Sequence, residues 1–237
     1  MSENPRTLGL EDTFHFSCDP GIDCFTKCCQ DVNILLTPYD IIQMKNSLEI
    51  SSTDFLKQYT KTLIAPETAL PAVQFKMDAQ NEERCYLVGE KGCKIYGHRP
   101  WSCRMYPLDN SSDGKGFVPV VDTNHCLGLN DNKVWRLRDW FADQDLQPYE
   151  QWNQRFAELT EDKKLTRWRK EYPGGLDIFY LACYDLDRFR EVVFKEKLFQ
   201  MLEQPPVDRD QLKTDDLALL EFAFTWLRTV AERGVGK

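Results

Sequence analysis

The chain has 237 residues, 42% hydrophobic and 29% charged, with a mean hydropathy of -0.52. That balance describes a globular protein with room for a sizeable core and excludes a disordered chain. Thirty Lys and Arg face 38 Asp and Glu, a net charge of -8, so no nucleic-acid partner is expected; a general binder needs a basic face to neutralise phosphates.

Met1 to Leu10 has no basic segment followed by a long apolar run, so no secretory leader is expected. No stretch reaches the roughly 18 apolar residues needed to cross a bilayer, and no membrane partner is expected. Asp31 to Leu36 reads as a short strand. Thr37-Pro38 then reads as an N-cap followed by proline at the first helical position, opening a helix to about Leu48. Ser52 or Thr53 caps a second helix carrying Phe55, Leu56 and Tyr59. Ala72 to Met77 and Arg84 to Val88 read as strands, and Gly89 to Gly92 as a hairpin turn between Cys85 and Cys93. Asn110 to Gly116 is a polar loop, followed by a strand at Phe117 to Val121.

Beyond about residue 130 the pattern is helical: Lys133 to Asp145, Tyr149 to Tyr172, Leu176 to Glu203 and Asp208 to Arg233. Pro173-Gly-Gly175 and Pro205-Pro206 part the last three. The expected fold is α+β. A small cysteine-rich domain of short strands and helices (residues 1–130) precedes an all-helical region (131–237).

Nine cysteines are the unusual feature. Eight lie between Cys18 and Cys126. The first group is Cys18-x5-Cys24-x3-Cys28-Cys29, and the second is Cys85-x7-Cys93-x9-Cys103, followed by Cys126. An odd count fits poorly with full disulfide pairing, and clustered thiols in a reducing cytoplasm more often bind metal. Soft thiolates select zinc, copper(I) or iron–sulfur clusters. Zinc and a [4Fe-4S] cluster each take four ligands, so eight cysteines can hold two mononuclear sites, or one cluster with spare thiols. Side chains of the neighbours Cys28 and Cys29 tend to diverge: they serve two sites, or one is a ligand and the other buried. Spacing alone leaves the metal open, since the two C-x2-C pairs of a zinc ribbon are missing.

Phe16-Ser-Cys18, Cys24-Phe-Thr-Lys-Cys28-Cys29, Cys85-Tyr-Leu, Gly92-Cys93-Lys-Ile-Tyr96 and Arg99-Pro100-Trp-Ser-Cys103-Arg104-Met-Tyr106-Pro107 occur in that order. This series resembles the YkgJ-type cysteine-cluster family of zinc- or iron-chelating proteins, over about residues 14 to 126. One departure is visible: five residues separate Cys18 from Cys24, where the family usually has two. The cluster is also similar to that of flagellin lysine N-methylases. That likeness implies an iron–sulfur cluster and methyl transfer from S-adenosylmethionine, with a protein lysine as one substrate.

Arg99 and Arg104 flank Cys103 and can offset thiolate charge or pair with a carboxylate elsewhere. His125, beside Cys126, is a weaker ligand candidate, and His15 and His98 are weaker still. Cys183 and the aromatics of the second half fall on apolar helix faces and read as core. No phosphate loop, dinucleotide fingerprint, G-x-S-x-G or H-E-x-x-H occurs, and no catalytic residue can be assigned. The leading expectation is a cytoplasmic metal-binding protein holding zinc or an iron–sulfur cluster through Cys18, Cys24, Cys28, Cys29, Cys85, Cys93, Cys103 and Cys126. The alternatives are the S-adenosylmethionine-dependent methyltransferase and a structural zinc module that presents the helical half to a protein partner.

Overall fold

The computed structural model describes residues 6–202 and 208–233. Met1 to Pro5 and the expected break at Pro205-Pro206 lie outside them. The architecture is α+β, with short strands throughout the first part and helices dominating after Leu137. The residues pack as two compact units that interleave along the chain. One runs up to Ile34 and resumes over Lys76–Glu150; the other comprises Leu35–Phe75 and the chain from Gln151 onward.

The first unit is built from two-stranded antiparallel pairs. Thr13–His15 pairs with Val134–Arg136, with Phe14 opposite Trp135. Leu108–Asn110 pairs with Phe117–Pro119 across the expected polar loop. Met77–Asp78 pairs with Arg84–Cys85, and Val88–Gly89 with Gly92–Cys93. The last pair is the hairpin expected at Gly89 to Gly92; Gly92 sits at φ 102°, which glycine adopts without strain. The unit's core gathers Leu8, Phe14, Met105, Leu108, Leu137, Trp140 and Leu146. Phe14 meets Trp140 edge-on, with ring centroids 5.3 Å apart, a favoured aromatic geometry.

The second unit holds a three-stranded antiparallel sheet with Pro71–Phe75 between Leu35–Leu36 and Thr60–Ile64. The helix Pro38–Ser47 begins as expected. Thr37 Oγ1 accepts from the Asp40 amide and Asp40 accepts from the Thr37 amide, a reciprocal capping box. The helix Ser52–Tyr59 is capped one residue earlier than expected, by Ser51. The long C-terminal helix Asp216–Arg233 packs against Pro38–Ser47, Lys163–Glu171, Gly175–Cys183 and Leu186–Lys195. It buries Leu219, Leu220, Phe222, Ala223, Phe224, Trp226, Leu227 and Val230, a face wide enough to serve several neighbours.

Several expected elements are corrected. Lys133 to Asp145 is not one helix: Val134–Arg136 is a strand, and the helix is Leu137–Asp143. The β-favouring Val134 and Trp135 pair with Phe14 and His15, and that pairing overrides helical periodicity. The other three long helices are each interrupted near an aspartate. Asp162 caps Lys163–Glu171 by accepting from the amides of Lys164 and Leu165. Asp185 leaves the helical path after Gly175–Cys183 and accepts from the hydroxyls of Ser52 and Thr53, both at 2.8 Å. Asp215 separates Arg209–Thr214 from Asp216–Arg233 and accepts from the amides of Leu217 and Ala218. At Asp162 and Asp215 a short carboxylate takes orphan amides, which turns a continuous apolar pattern into capped pieces.

Candidate metal centre

All eight cysteines of the constellation lie in the first unit, carried by turns and short elements. The loop after Cys18 turns through residues 19–26 and ends in a 3-10 turn at Lys27–Cys29. The Lys27 amide donates to the Cys24 carbonyl at 2.9 Å, and the Cys29 amide to the Thr26 carbonyl at 3.0 Å. Thr26 itself is in the left-handed region at φ 66°, and Arg84 donates to its hydroxyl at 3.0 Å. These bonds wind the chain tightly enough to bring Cys24, Cys28 and Cys29 into one turn.

Two long-range backbone contacts bring other cysteines to this loop. Ser17 donates its amide to the Gly128 carbonyl at 3.1 Å, setting Cys18 beside the Cys126–Gly128 turn. Gln30 bridges Arg84, and the Asp31 amide donates to the Glu83 carbonyl, setting Cys29 beside Cys85. The Leu87 amide donates to the Cys85 sulfur at 3.4 Å, and Lys94 donates to the Leu87 carbonyl; the hairpin thus carries Cys93 next to Cys85. Phe25 lies against the turn of this hairpin, 3.0 Å from where a Cβ on Gly92 would be.

Cys103 stands in the short helix Trp101–Met105. Arg99, buried, joins it to the preceding loop by donating to the carbonyls of Tyr96 at 2.6 Å and Cys103 at 3.4 Å. Its third donor goes to the Gln144 side chain, and its guanidinium lies 3.8 Å from the Tyr96 ring. Arg104 is buried too. It donates to the carbonyls of Arg99, Gly97 and Gln144 and covers the Tyr149 ring at 4.5 Å. Arg104 is therefore a backbone clamp, whereas Arg99 also acts on the thiols.

The electrostatics record which thiols are neighbours. Cys28 is pulled down to about 7, first by the S–H of Cys29 donating to it, with Arg99 adding to the effect against the burial that opposes it. Cys29 is correspondingly pushed up, first by that bond and then by burial, with Cys28, Cys103 and Cys85 adding negative charge. Burial pushes Cys18 up to about 11, with Cys28, Cys24 and Cys126 contributing. Burial also raises Cys126, whose further neighbours are Cys24 and Cys28. Cys103 is raised by burial and then by Cys85, Cys93 and Cys28. Cys85 and Cys93 are raised by burial as well, and Arg99 works against the shift at Cys93 and Cys103. A dense set of thiols repels its own ionisation, and a cation bound among them would reverse that balance.

Among the described residues no three His, Cys, Asp or Glu side chains converge as a formed metal site. The eight thiols are gathered as neighbours rather than closed on one point. Their donor set nonetheless fits zinc or an iron–sulfur cluster, both of which take thiolate sulfur. His15, His98 and His125 are exposed, and the His15 ring nitrogen pairs with the Asp131 carbonyl at 3.0 Å. Cys183 is fully buried in the second unit and raised by burial alone, in keeping with a core residue.

Two contributors escaped the reading of the sequence. The hydroxyl of Tyr106 hydrogen-bonds Cys126; burial first, and then that thiol, push the phenol up. Tyr106 occurs within the motif series, yet nothing in its spacing marks it. Gly128 is required by close approach, because a Cβ there would lie 2.0 Å from the Ser17 carbonyl oxygen.

No curated protein and no solved structure matches the chain. The model of one family, CxxCxxCC, described as a "putative zinc- or iron-chelating domain", matches residues 17–132. That span begins one residue before Cys18 and ends six after Cys126, and it contains all eight cysteines. Over residues 17–132 the chain is thus similar to the CxxCxxCC family.

Proposed function

We propose that the chain holds zinc or an iron–sulfur cluster through Cys18, Cys24, Cys28, Cys29, Cys85, Cys93, Cys103 and Cys126. The observation that carries this reading is the gathering of all eight thiols in one unit by backbone contacts spanning the 54 residues from Gln30 to Arg84 and the 111 from Ser17 to Gly128. Closing such long loops costs chain entropy, and metal binding offsets that cost by contributing to folding. Nine free thiols suit a reducing compartment, and we place the protein in the cytoplasm.

The residues divide the work. Thiolates supply the ligands. Arg99 and the backbone amides around Cys85 and Cys126 offset their negative charge, and Arg104 holds the loops that carry them. A bound zinc would supply structural cross-linking, and a bound cluster would supply one-electron chemistry.

The test is metal and sulfide analysis of full-length protein purified anaerobically from cells supplied with iron and zinc, with a visible spectrum. Zinc without colour, or iron with matching sulfide and a broad band near about 400 nm, supports the reading. Protein carrying neither metal defeats it.

A further inference from the structure

We infer that the eight cysteines divide into two four-thiolate sites, Cys18, Cys24, Cys28 and Cys126 in one and Cys29, Cys85, Cys93 and Cys103 in the other. This rests on the metal-binding reading above and deepens it, by assigning the adjacent Cys28 and Cys29 to different sites.

Backbone geometry draws the line. The Ser17–Gly128 contact attaches Cys18 to the turn that bears Cys126, and the Cys24–Lys27 bond places Cys24 one turn before Cys28. On the other side, Gln30 follows Cys29 directly and bridges Arg84, which directly precedes Cys85. The Val88–Cys93 pairing and the Leu87–Cys85 bond hold Cys85 and Cys93 at the two ends of one hairpin. Arg99 ties the loop that follows Cys93 to the Cys103 carbonyl. Cys28 and Cys29 lie at the end of the 3-10 turn, where the two sets meet.

The surroundings of the two sets also differ. Tyr106 bonds Cys126 in the first, and Arg99 donates to the Cys103 carbonyl in the second. The backbone contacts part the adjacent thiols: Cys28 follows the turn that bears Cys24, and Cys29 adjoins the Gln30–Arg84 bridge.

The division is tested on the full chain, reduced, stripped of metal and reconstituted anaerobically with Zn²⁺ alone. Two zinc ions per chain are expected, and each of the variants Cys18→Ser/Cys126→Ser and Cys85→Ser/Cys93→Ser should keep one, a two-fold drop. A second readout needs no variant. As a chelator withdraws zinc from the unsubstituted protein, alkylation followed by mass spectrometry should unmask thiols in two sets of four, with Cys28 in one and Cys29 in the other. If circular dichroism shows that a variant has failed to fold, the alkylation result decides. Loss of all zinc from a folded double variant, retention of both ions by one, or unmasking of Cys28 and Cys29 in the same set would overturn the division and leave the metal-binding reading standing. Failure of the unsubstituted protein to take up zinc or iron would overturn both.

Discussion

The amide of Ser17 donates to the carbonyl of Gly128 at 3.1 Å, and a Cβ at position 128 would stand 2.0 Å from the carbonyl oxygen of Ser17. No side chain fits that gap, so Gly128→Ala must push the two segments apart and carry Cys18 away from Cys126. Metal content should fall by up to half. Gly97→Ala is the control, because a Cβ there meets nothing within 4 Å. If Gly128→Ala holds the same metal with the same resistance to a chelator, this contact does not position the thiols.

That contact also marks the limit of what can be read from the residues alone. The eight cysteines and their family resemblance were legible, because Cys24-x3-Cys28-Cys29 and Arg99-Pro100-Trp-Ser-Cys103 are local patterns. Which thiols become neighbours depends on pairings such as Ser17 with Gly128 and Gln30 with Arg84, set by the tertiary fold and carrying no local signature. The uneven cysteine distribution draws one line near residue 130, yet Leu35–Phe75 packs in the unit that holds the C-terminal helices. The strand Thr60–Ile64 went unread because its sequence, TKTLI, alternates weakly and exposes four of its five residues. Thr37-Pro38 was legible for the opposite reason: a cap and a proline act within one turn.

Arg104 offers a test of the clamp. Its guanidinium is the donor for three backbone carbonyls, those of Gly97, Arg99 and Gln144, at 4% exposure. Arg104→Leu leaves these acceptors in an apolar setting, where each unsatisfied group costs about 1–3 kcal/mol. We expect urea denaturation of the metal-loaded protein to show a loss of about 3 kcal/mol or more. Arg104→Lys should recover little, since an ammonium cannot span three carbonyls in a planar fork. A change below about 0.5 kcal/mol for Arg104→Leu would show that water replaces the guanidinium at no cost.

Cys183 separates packing from ligation. It is fully buried in the second unit, in the helix Gly175–Cys183. Cys183→Ala should leave metal content unchanged and destabilise by about 1 kcal/mol through a small cavity. Cys183→Ser should cost about 1–3 kcal/mol, because it buries a hydroxyl among apolar groups. Any drop in bound metal in folded Cys183→Ala would assign this thiol a role that its surroundings do not indicate.

The second unit contains a charge network whose acid response follows from its geometry. Lys45 Nζ lies 2.9 Å from Asp216 and 3.2 Å from Asp187, and Arg190 pairs with both carboxylates. The Ser52 amide also donates to Asp187, at 2.6 Å. Burial alone would raise both carboxyls. At Asp187 the Ser52 amide and Lys45 outweigh it, and at Asp216 Arg190 and Lys45 do, so both are held below the ordinary carboxylate range. A carboxyl lowered in the folded state adds stability above its unfolded pKa, about 3.9, and loses it as pH falls through the folded value. Lys45→Met keeps the volume of a side chain that is itself only 7% exposed, but leaves two partly buried carboxylates with less compensation. Removing one partner of such a network costs about 3–5 kcal/mol. The variant should therefore be less stable by about that amount at pH 7. The gap should narrow as pH drops below about 3.9 and both aspartates take up protons. Denaturation curves across that range decide: a gap that stays constant with pH would mean that Lys45 acts through packing rather than charge.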